Sequence, residues 1–135
     1  MKMTLTLDMM LNLKKHGFTF EQFEHDCNVG MSFFWNHCEQ VIGGKCDGNT
    51  QYSKNDLILS QKGQWLPDES HLMLWLQWQQ NCDVTIRYIA NEQYFYAIAH
   101  NTKNEVFQGS GPDLLCCLYK LVLKICKNKQ LHVKE

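Results

Sequence analysis

The sequence contains no apolar run of membrane-spanning length and no excess of one charge. No stretch approaches the ~18 to 20 consecutive apolar residues that cross a bilayer. The chain carries 13 Lys and Arg residues against 14 Asp and Glu residues, so its surface as a whole does not attract a phosphate backbone. Its first residues, Met1 to Leu5, lack the apolar core and the small-residue cleavage site of a signal peptide. We therefore expect a soluble, cytoplasmic protein without a membrane partner.

The sequence also lacks a catalytic motif, an internal repeat and a low-complexity segment. Its Asp, Glu, His and Ser residues are scattered, and no pattern pairs a nucleophile with a base. We expect no catalytic residue, no cofactor and no bound metal. The chain is more consistent with a binding protein than with an enzyme.

What the sequence does contain is enough apolar material for a folded protein. It has 135 residues, of which 44% are hydrophobic and 20% charged, as in ordinary globular proteins. The pattern predicts an α+β protein with an N-terminal helical region followed by an αβββα unit, whose small antiparallel sheet packs on helices. The expected divisions are the helical region at 1–45, a loop or linker with a short helix at 46–62, the αβββα unit at 63–128 and a polar tail at 129–135.

The N-terminal region is predicted to form three helices. The first ends at Gly17, the second begins with a capping box of Thr19 and Gln22, and the third runs from a Ser32 cap to Val41. The apolar spacing of the last two resembles a repressor-type helix-turn-helix. However, the second helix of that motif begins Phe33-Phe34-Trp35 and contains no Lys or Arg to reach DNA. We favour a helical packing unit over a DNA reader.

The αβββα unit is predicted from turn signals and from alternation of apolar and polar residues. Pro67-Asp68-Glu69 begins a helix that ends near Asn81. Gly109-Ser110-Gly111 is interpreted as a strand-to-helix turn, and Pro112-Asp113 opens a last helix with apolar residues at helical spacing. The strands between these helices are predicted at 83–88, 94–99 and 105–108.

The seven cysteines are odd in number and irregular in spacing. In a reducing compartment this predicts free, mostly buried thiols. Zinc binding needs closely spaced thiolate and imidazole ligands. The candidates are His25, Cys27, His37, Cys38 and Cys46, but no second pair at metal-ligand spacing organises them. Buried thiols and surface histidines are the favoured interpretation.

The candidate interaction surface lies on the predicted sheet. If Phe95, Ala97 and Ala99 face the helices, then an aromatic surface faces outward, fit for stacking or for a protein partner. That surface consists of Tyr94, Tyr96, Ile98 and His100, beside Thr85 and Arg87. With the opposite parity the same residues belong to the core, and the pattern leaves both parities open. A second candidate surface is then formed by Phe33 and Trp35.

Part of the chain resembles small phage and prophage proteins with an αββα sandwich-type domain. The resemblance covers roughly residues 57–127 and rests on the run Gly63-Gln64-Trp65-Leu66-Pro67-Asp68-Glu69, on Gly109-Ser110-Gly111, and on the helix with Leu114, Leu118 and Tyr119. It implies an accessory protein of a mobile element and carries over no active site.

Two other families share the order of elements. Three strands and a helix after a Gly-x-Gly turn are similar to antitoxin partners of RNA-cleaving toxins. The whole order is similar to the double-stranded-RNA-binding fold, but that fold places lysines where this chain has Pro112 to Leu115, which puts RNA binding in doubt.

These observations lead to a functional expectation. We expect a non-enzymatic interaction or regulatory protein whose partner is another protein. The alternative is a nucleic-acid-binding regulator or an antitoxin-like protein, and the sequence leaves a homo-oligomer open.

Overall fold

The computed structural model describes residues 3–24, 31–42 and 54–133. It has the α+β architecture expected from the sequence, with helices and two antiparallel sheets of three strands. The chain divides into Thr19–Pro67, which we call the hairpin unit, and Met1–Phe18 with Asp68–Glu135, which we call the sheet unit. The first helix therefore groups with the C-terminal elements.

The hairpin unit contains a small sheet where a helix was expected. Its strands are antiparallel in the order β2-β1-β3. The elements are α2 (Glu21–Glu24), β1 (Ser32–Trp35), β2 (Cys38–Val41), α3 (Lys54–Lys62) and β3 (Gln64–Leu66). The predicted third helix from Ser32 to Val41 is therefore wrong, whereas the short helix expected near residue 54 is present as α3. The turn at Asn28 and the loop at 46–53 lie outside the described residues.

A two-residue turn explains why this segment is a hairpin. Asn36 and His37 both have positive φ angles, 53° and 67°, and Trp35 lies directly opposite Cys38. Two successive left-handed residues give the turn whose twist matches a hairpin, and Asn and His enter that region more readily than most residues. The aromatic residues before the turn also favour strands over helices.

The core of the hairpin unit is aromatic. Phe20, Phe33 and Trp65 are each almost completely buried. The rings of Phe23 and Trp65 are stacked with centroids 6.1 Å apart, and Phe20 meets both at steep angles. Aromatic packing of this kind buries a large area per residue, and the aliphatic side chains of Ile42, Leu59 and Leu66 are buried in the same unit.

Two helices of the sheet unit begin or end where the sequence predicts. α1 (Leu7–Lys15) is followed by Gly17, whose φ of +88° gives the expected left-handed stop. α4 (Glu69–Leu74) begins after Asp68, whose Oδ1 accepts the backbone N–H of His71 at 3.1 Å. It continues as a π-helical segment, Trp75–Gln79, and the chain turns at Asn81 with φ 52°.

The sheet of this unit has three antiparallel strands, as predicted. They are β4 (Asp83–Ile89), β5 (Tyr94–His100) and β6 (Val106–Gly111), in that order. β6 continues past the expected end at residue 108, so Gly109 to Gly111 belong to the strand and not to a turn.

The C-terminal helix α5 (Leu114–Val133) packs on one face of this sheet, over β5 and β6. A Cβ on Gly109 would lie 2.7 Å from the carbonyl oxygen of Cys117 and 2.9 Å from the backbone nitrogen of Leu121. The glycine therefore lets the helix backbone approach the strand closely.

α5 also extends further than the sequence indicated. It continues through most of the expected polar tail, and the side-chain amide nitrogen of Gln130 donates to the carbonyl of Lys15 at 3.3 Å. Asn12 Nδ2 donates to the Tyr119 hydroxyl at 2.8 Å. These bonds tie α1 to α5 and explain why the first helix belongs to the sheet unit. No helix in the described part of the chain is both long and apolar enough to cross a membrane.

Candidate functional site

The structure decides which side of the central strand is covered. Ala97 and Ala99 of β5 are fully buried beneath α5. Side chains alternate along a strand, so Tyr94, Tyr96 and the residues in step with them project from the opposite side. The parity that exposes the aromatic residues is the one present, and we call that side the outer face.

Strand register gives the full composition of the outer face. Residues directly opposite one another in antiparallel strands share a face. Tyr96 is flanked by Arg87 and Ser110, and Ile98 by Thr85 and Gln108. The outer face therefore comprises Asp83, Thr85, Arg87, Ile89, Tyr94, Tyr96, Ile98, His100, Val106, Gln108 and Ser110.

None of these eleven residues is buried. The side chains of Tyr94, Tyr96 and Ile98 are half-buried, because a strand lies on each side of them. The marginal residues Arg87, Gln108 and Ser110 are exposed. In the described part of the sheet unit α5 packs on the other face, and α1 and α4 pack against α5. The outer face thus has an apolar, aromatic centre with polar margins.

The charges on the outer face are mixed. Arg87 is the basic residue of β4 and Asp83 the acidic one, and both are exposed on this face together with His100. A surface that binds a phosphate backbone needs several basic side chains without opposing acids. The outer face instead combines one charge of each sign with tyrosine, which is typical of protein interfaces.

Phe33 and Trp35 do not form a shared exposed surface, because their side chains differ in burial. Phe33 is fully buried in the core of the hairpin unit, so it is a core residue. Trp35 is half-buried at the end of β1, and its carbonyl accepts the side-chain amide of Gln40 at 2.9 Å. Because these residues form a strand of the hairpin, the structure contradicts the second helix of a helix-turn-helix.

The described cysteines include three buried thiols, Cys82, Cys117 and Cys126. Cys38, Cys82, Cys116, Cys117 and Cys126 are all free. Burial raises the pKa of Cys126 to about 12 and raises the pKa of Cys82 and Cys117 above the ordinary value of 9.0. A thiol with a raised pKa carries little thiolate at neutral pH and is a poor nucleophile.

The metal candidates are only partly within the described residues. His37 and Cys38 are exposed at the hairpin turn, while His25, Cys27 and Cys46 lie outside. Among the described residues, no group of three or more His, Cys, Asp or Glu side chains is arranged to hold a metal ion.

The sheet unit also has an amide-rich cleft of about 420 Å³ that the sequence did not indicate. Its walls come from residues 79–81, 101–105 and 128–129. Glu105 accepts hydrogen bonds from the side-chain amides of Asn101 and Asn128, at 3.1 and 3.3 Å. These polar groups could hold a hydrogen-bonding ligand, but three separate chain segments create the cleft, so no local pattern predicts it.

Comparison with known proteins adds no family assignment. A scan of protein-family profiles, a search of curated proteins and a search of solved structures each gave no match.

Proposed function

We propose that this chain is a non-enzymatic accessory or regulatory protein that binds another protein through the outer face. The observation that carries the proposal is the half-exposed row Tyr94, Tyr96 and Ile98 at the centre of a sheet whose other side packs on α5 along β5 and β6. Tyrosine contributes a large, rigid contact area and a hydroxyl for hydrogen bonding, and it is enriched at protein interfaces.

The polar residues at the margins of the outer face also favour a protein as the partner. Thr85, Arg87, Gln108 and Ser110 supply hydrogen-bond donors and acceptors around the apolar centre. An interface with an apolar core and a polar rim excludes water from the core while the rim fixes orientation.

We also propose that the protein acts in the cytoplasm and originates from a mobile element. The free thiols of the described cysteines support a cytoplasmic site of action, since reducing compartments keep thiols unpaired. The resemblance of residues 57–127 to phage proteins supports an origin in a mobile element. The genes that neighbour the coding sequence in its genome test the mobile-element origin directly.

The proposal is tested by affinity capture with matched tyrosine variants. Tyr96→Ala removes the centre of the outer face. Tyr88→Ala removes an exposed tyrosine from the neighbouring strand on the opposite side of the sheet. Proteins retained from the native host by the wild type and by Tyr88→Ala, but lost with Tyr96→Ala, are the expected partners. Equal retention by all three proteins would count against the outer face.

Nucleic acid is the alternative ligand, because exposed tyrosines on a sheet can stack on bases. Binding to single-stranded DNA or RNA that weakens steeply with salt would replace the protein partner by a nucleic acid. The single arginine on the outer face and the nearby Asp83 argue for the protein.

A further inference from the structure

β4 is an edge strand among the described strands of the sheet unit. Among the described strands β4 pairs only with β5, so its second edge has no partner in the described part of the chain. The strand has seven residues and is about 24 Å long. The backbone N–H and C=O groups along such an edge form a template for a further strand.

β4 lacks several of the features that prevent edge pairing, and its two charged residues, Asp83 and Arg87, are of opposite sign. Its sequence from Asp83 to Ile89 contains no Lys, Pro or Gly. Its pairing with β5 runs residue by residue from Asp83↔His100 to Ile89↔Tyr94 without a bulge. The other edge strand, β6, contains Gly109 and Gly111, which weaken strand pairing.

We propose that two copies of this chain associate through antiparallel pairing of their β4 strands, with Thr85 on the twofold axis. In this register Asp83 lies opposite Arg87 of the second copy, and Arg87 lies opposite Asp83 of the second copy. The two opposite-charge pairs lie on the outer face and flank a Thr85–Thr85 pair, and each kind of pair stabilises a sheet. On the other face, Val84 lies opposite Ile86 in both directions.

Neighbouring registers lose this complementarity. With the axis at Ile86, Arg87 lies opposite Thr85 and Asp83 opposite Ile89. With the axis at Val84, Asp83 lies opposite Thr85 and Arg87 opposite Asn81. Only the register centred on Thr85 compensates both charges, so the sequence of β4 selects one alignment.

The proposed pairing also covers apolar surface. Ile86 is 36% exposed on the side of the sheet that bears α5. In the proposed pairing Val84 of the second copy lies beside it and covers part of its side chain. The two sheets become one sheet of six strands, with both outer faces on the same side. The pairing uses the edge of the sheet, so it stands independently of the proposed partner on the face.

Reciprocal charge variants test the pairing and its register. Asp83→Arg and Arg87→Asp each replace two attractive pairs by two repulsive ones, and each is expected to weaken dimerisation at least about tenfold. An equimolar mixture of the two variants is expected to restore the dimer, because each then presents charges complementary to the other. Lys124→Asp, a charge reversal on the exposed side of α5, is the matched control.

Sedimentation velocity is the measurement, at protein concentrations up to about 100 µM, where a micromolar complex is mostly assembled. The expected result is a dimer for the wild type and the control, monomers for each β4 variant and dimers for their mixture. A monomeric wild type, or a mixture that stays monomeric although both variants are folded by circular dichroism, overturns the proposal.

A cross-linking variant gives a second measurement that does not depend on the charged variants. Thr85→Cys in a Cys38→Ser background places a thiol on the twofold axis, within reach of its counterpart after a small adjustment. Mild oxidation is expected to yield more covalent dimer than the background protein does. Gln108→Cys, on the outer face at the other edge strand, is the control. Equal yields from the two cysteine variants would overturn the pairing.

Discussion

Tyr96 and Arg87 lie directly opposite one another on β5 and β4, and both side chains project from the face of the sheet that α5 leaves uncovered. On the opposite face of the sheet Ala97, the residue after Tyr96, is fully buried beneath α5. This relationship separates the two roles of the sheet. One side forms the core with α5, and the other presents an aromatic and polar surface.

The close contact between β6 and α5 predicts the effect of enlarging Gly109. Gly109→Ala places a methyl group 2.7 Å from the Cys117 carbonyl oxygen, and the helix must shift away from the strand. We expect the free energy of unfolding to fall by about 2 kcal/mol or more. Urea denaturation followed by circular dichroism measures this loss.

Ser110→Ala is the control for that substitution, since Ser110 is the next residue and is exposed on the outer face. It should change the unfolding free energy by less than about 0.5 kcal/mol. If both variants were equally stable, the helix would not pack on β6 as closely as described.

The turn between β1 and β2 gives a prediction that separates a hairpin from a helix. His37 has a φ of 67°, a conformation that costs a residue with a side chain about 1 kcal/mol. His37→Gly creates an Asn-Gly turn and should raise the free energy of unfolding by about 0.5 to 1 kcal/mol. In a helix the same substitution would lower it by about 0.3 to 0.5 kcal/mol, because glycine is a weaker helix former than histidine.

Glu39→Gly is the companion variant, because Glu39 lies within β2 and is exposed. Glycine inside a strand is expected to destabilise by about 0.5 to 1 kcal/mol. Thermal unfolding of the two variants should therefore shift in opposite directions. A decrease for His37→Gly would favour the helix over the hairpin.

The buried thiol of Cys126 predicts a loss of stability at alkaline pH. Burial raises its pKa from 9.0 to about 12. Between these values the unfolded chain releases the proton and the folded chain retains it. The free energy of unfolding therefore falls as pH rises from 9 towards 12, and below pH 9 this contribution is fully present.

Urea denaturation at several pH values measures this slope, and Cys126→Ala isolates it from the titration of lysines and tyrosines. The variant is expected to lose less stability between pH 9 and 11 than the wild type does. Cys38→Ala, which removes an exposed thiol, should retain the wild-type slope. A Cys126→Ala slope equal to that of the wild type would contradict a buried, protonated thiol.

Local signals predicted the sheet unit well and the hairpin unit poorly. The helix start at Pro67-Asp68-Glu69 and the stop at Gly17 depend on a few neighbouring residues, so the sequence reveals them. β1 instead pairs with β3, a strand distant in the sequence, and local periodicity does not reveal such pairing. The apolar spacing of Phe34, Cys38 and Val41 fits a helix, and the turn at Asn36-His37 contains no glycine to indicate a hairpin.

The sequence does not decide which side of the sheet is exposed, because both faces of β5 are rich in apolar residues. Residue size decides between them. Ala97 and Ala99 of β5 lie on the same face of the sheet as Gly109 and Gly111 of the paired strand β6. Because these residues are small, that face is flat enough for a helix to pack closely on it. This pattern of small residues on two adjacent strands could have identified the covered side from the sequence.

Hydroxyl-radical footprinting of the chain, alone and with a protein captured by the wild type, tests the outer face most directly. The account predicts that oxidation of Tyr94 and Tyr96 decreases when the partner is bound, while oxidation of Tyr88 on the opposite side of the sheet is unchanged. Unchanged oxidation of Tyr94 and Tyr96 in the complex, with protection confined to other parts of the chain, would contradict it.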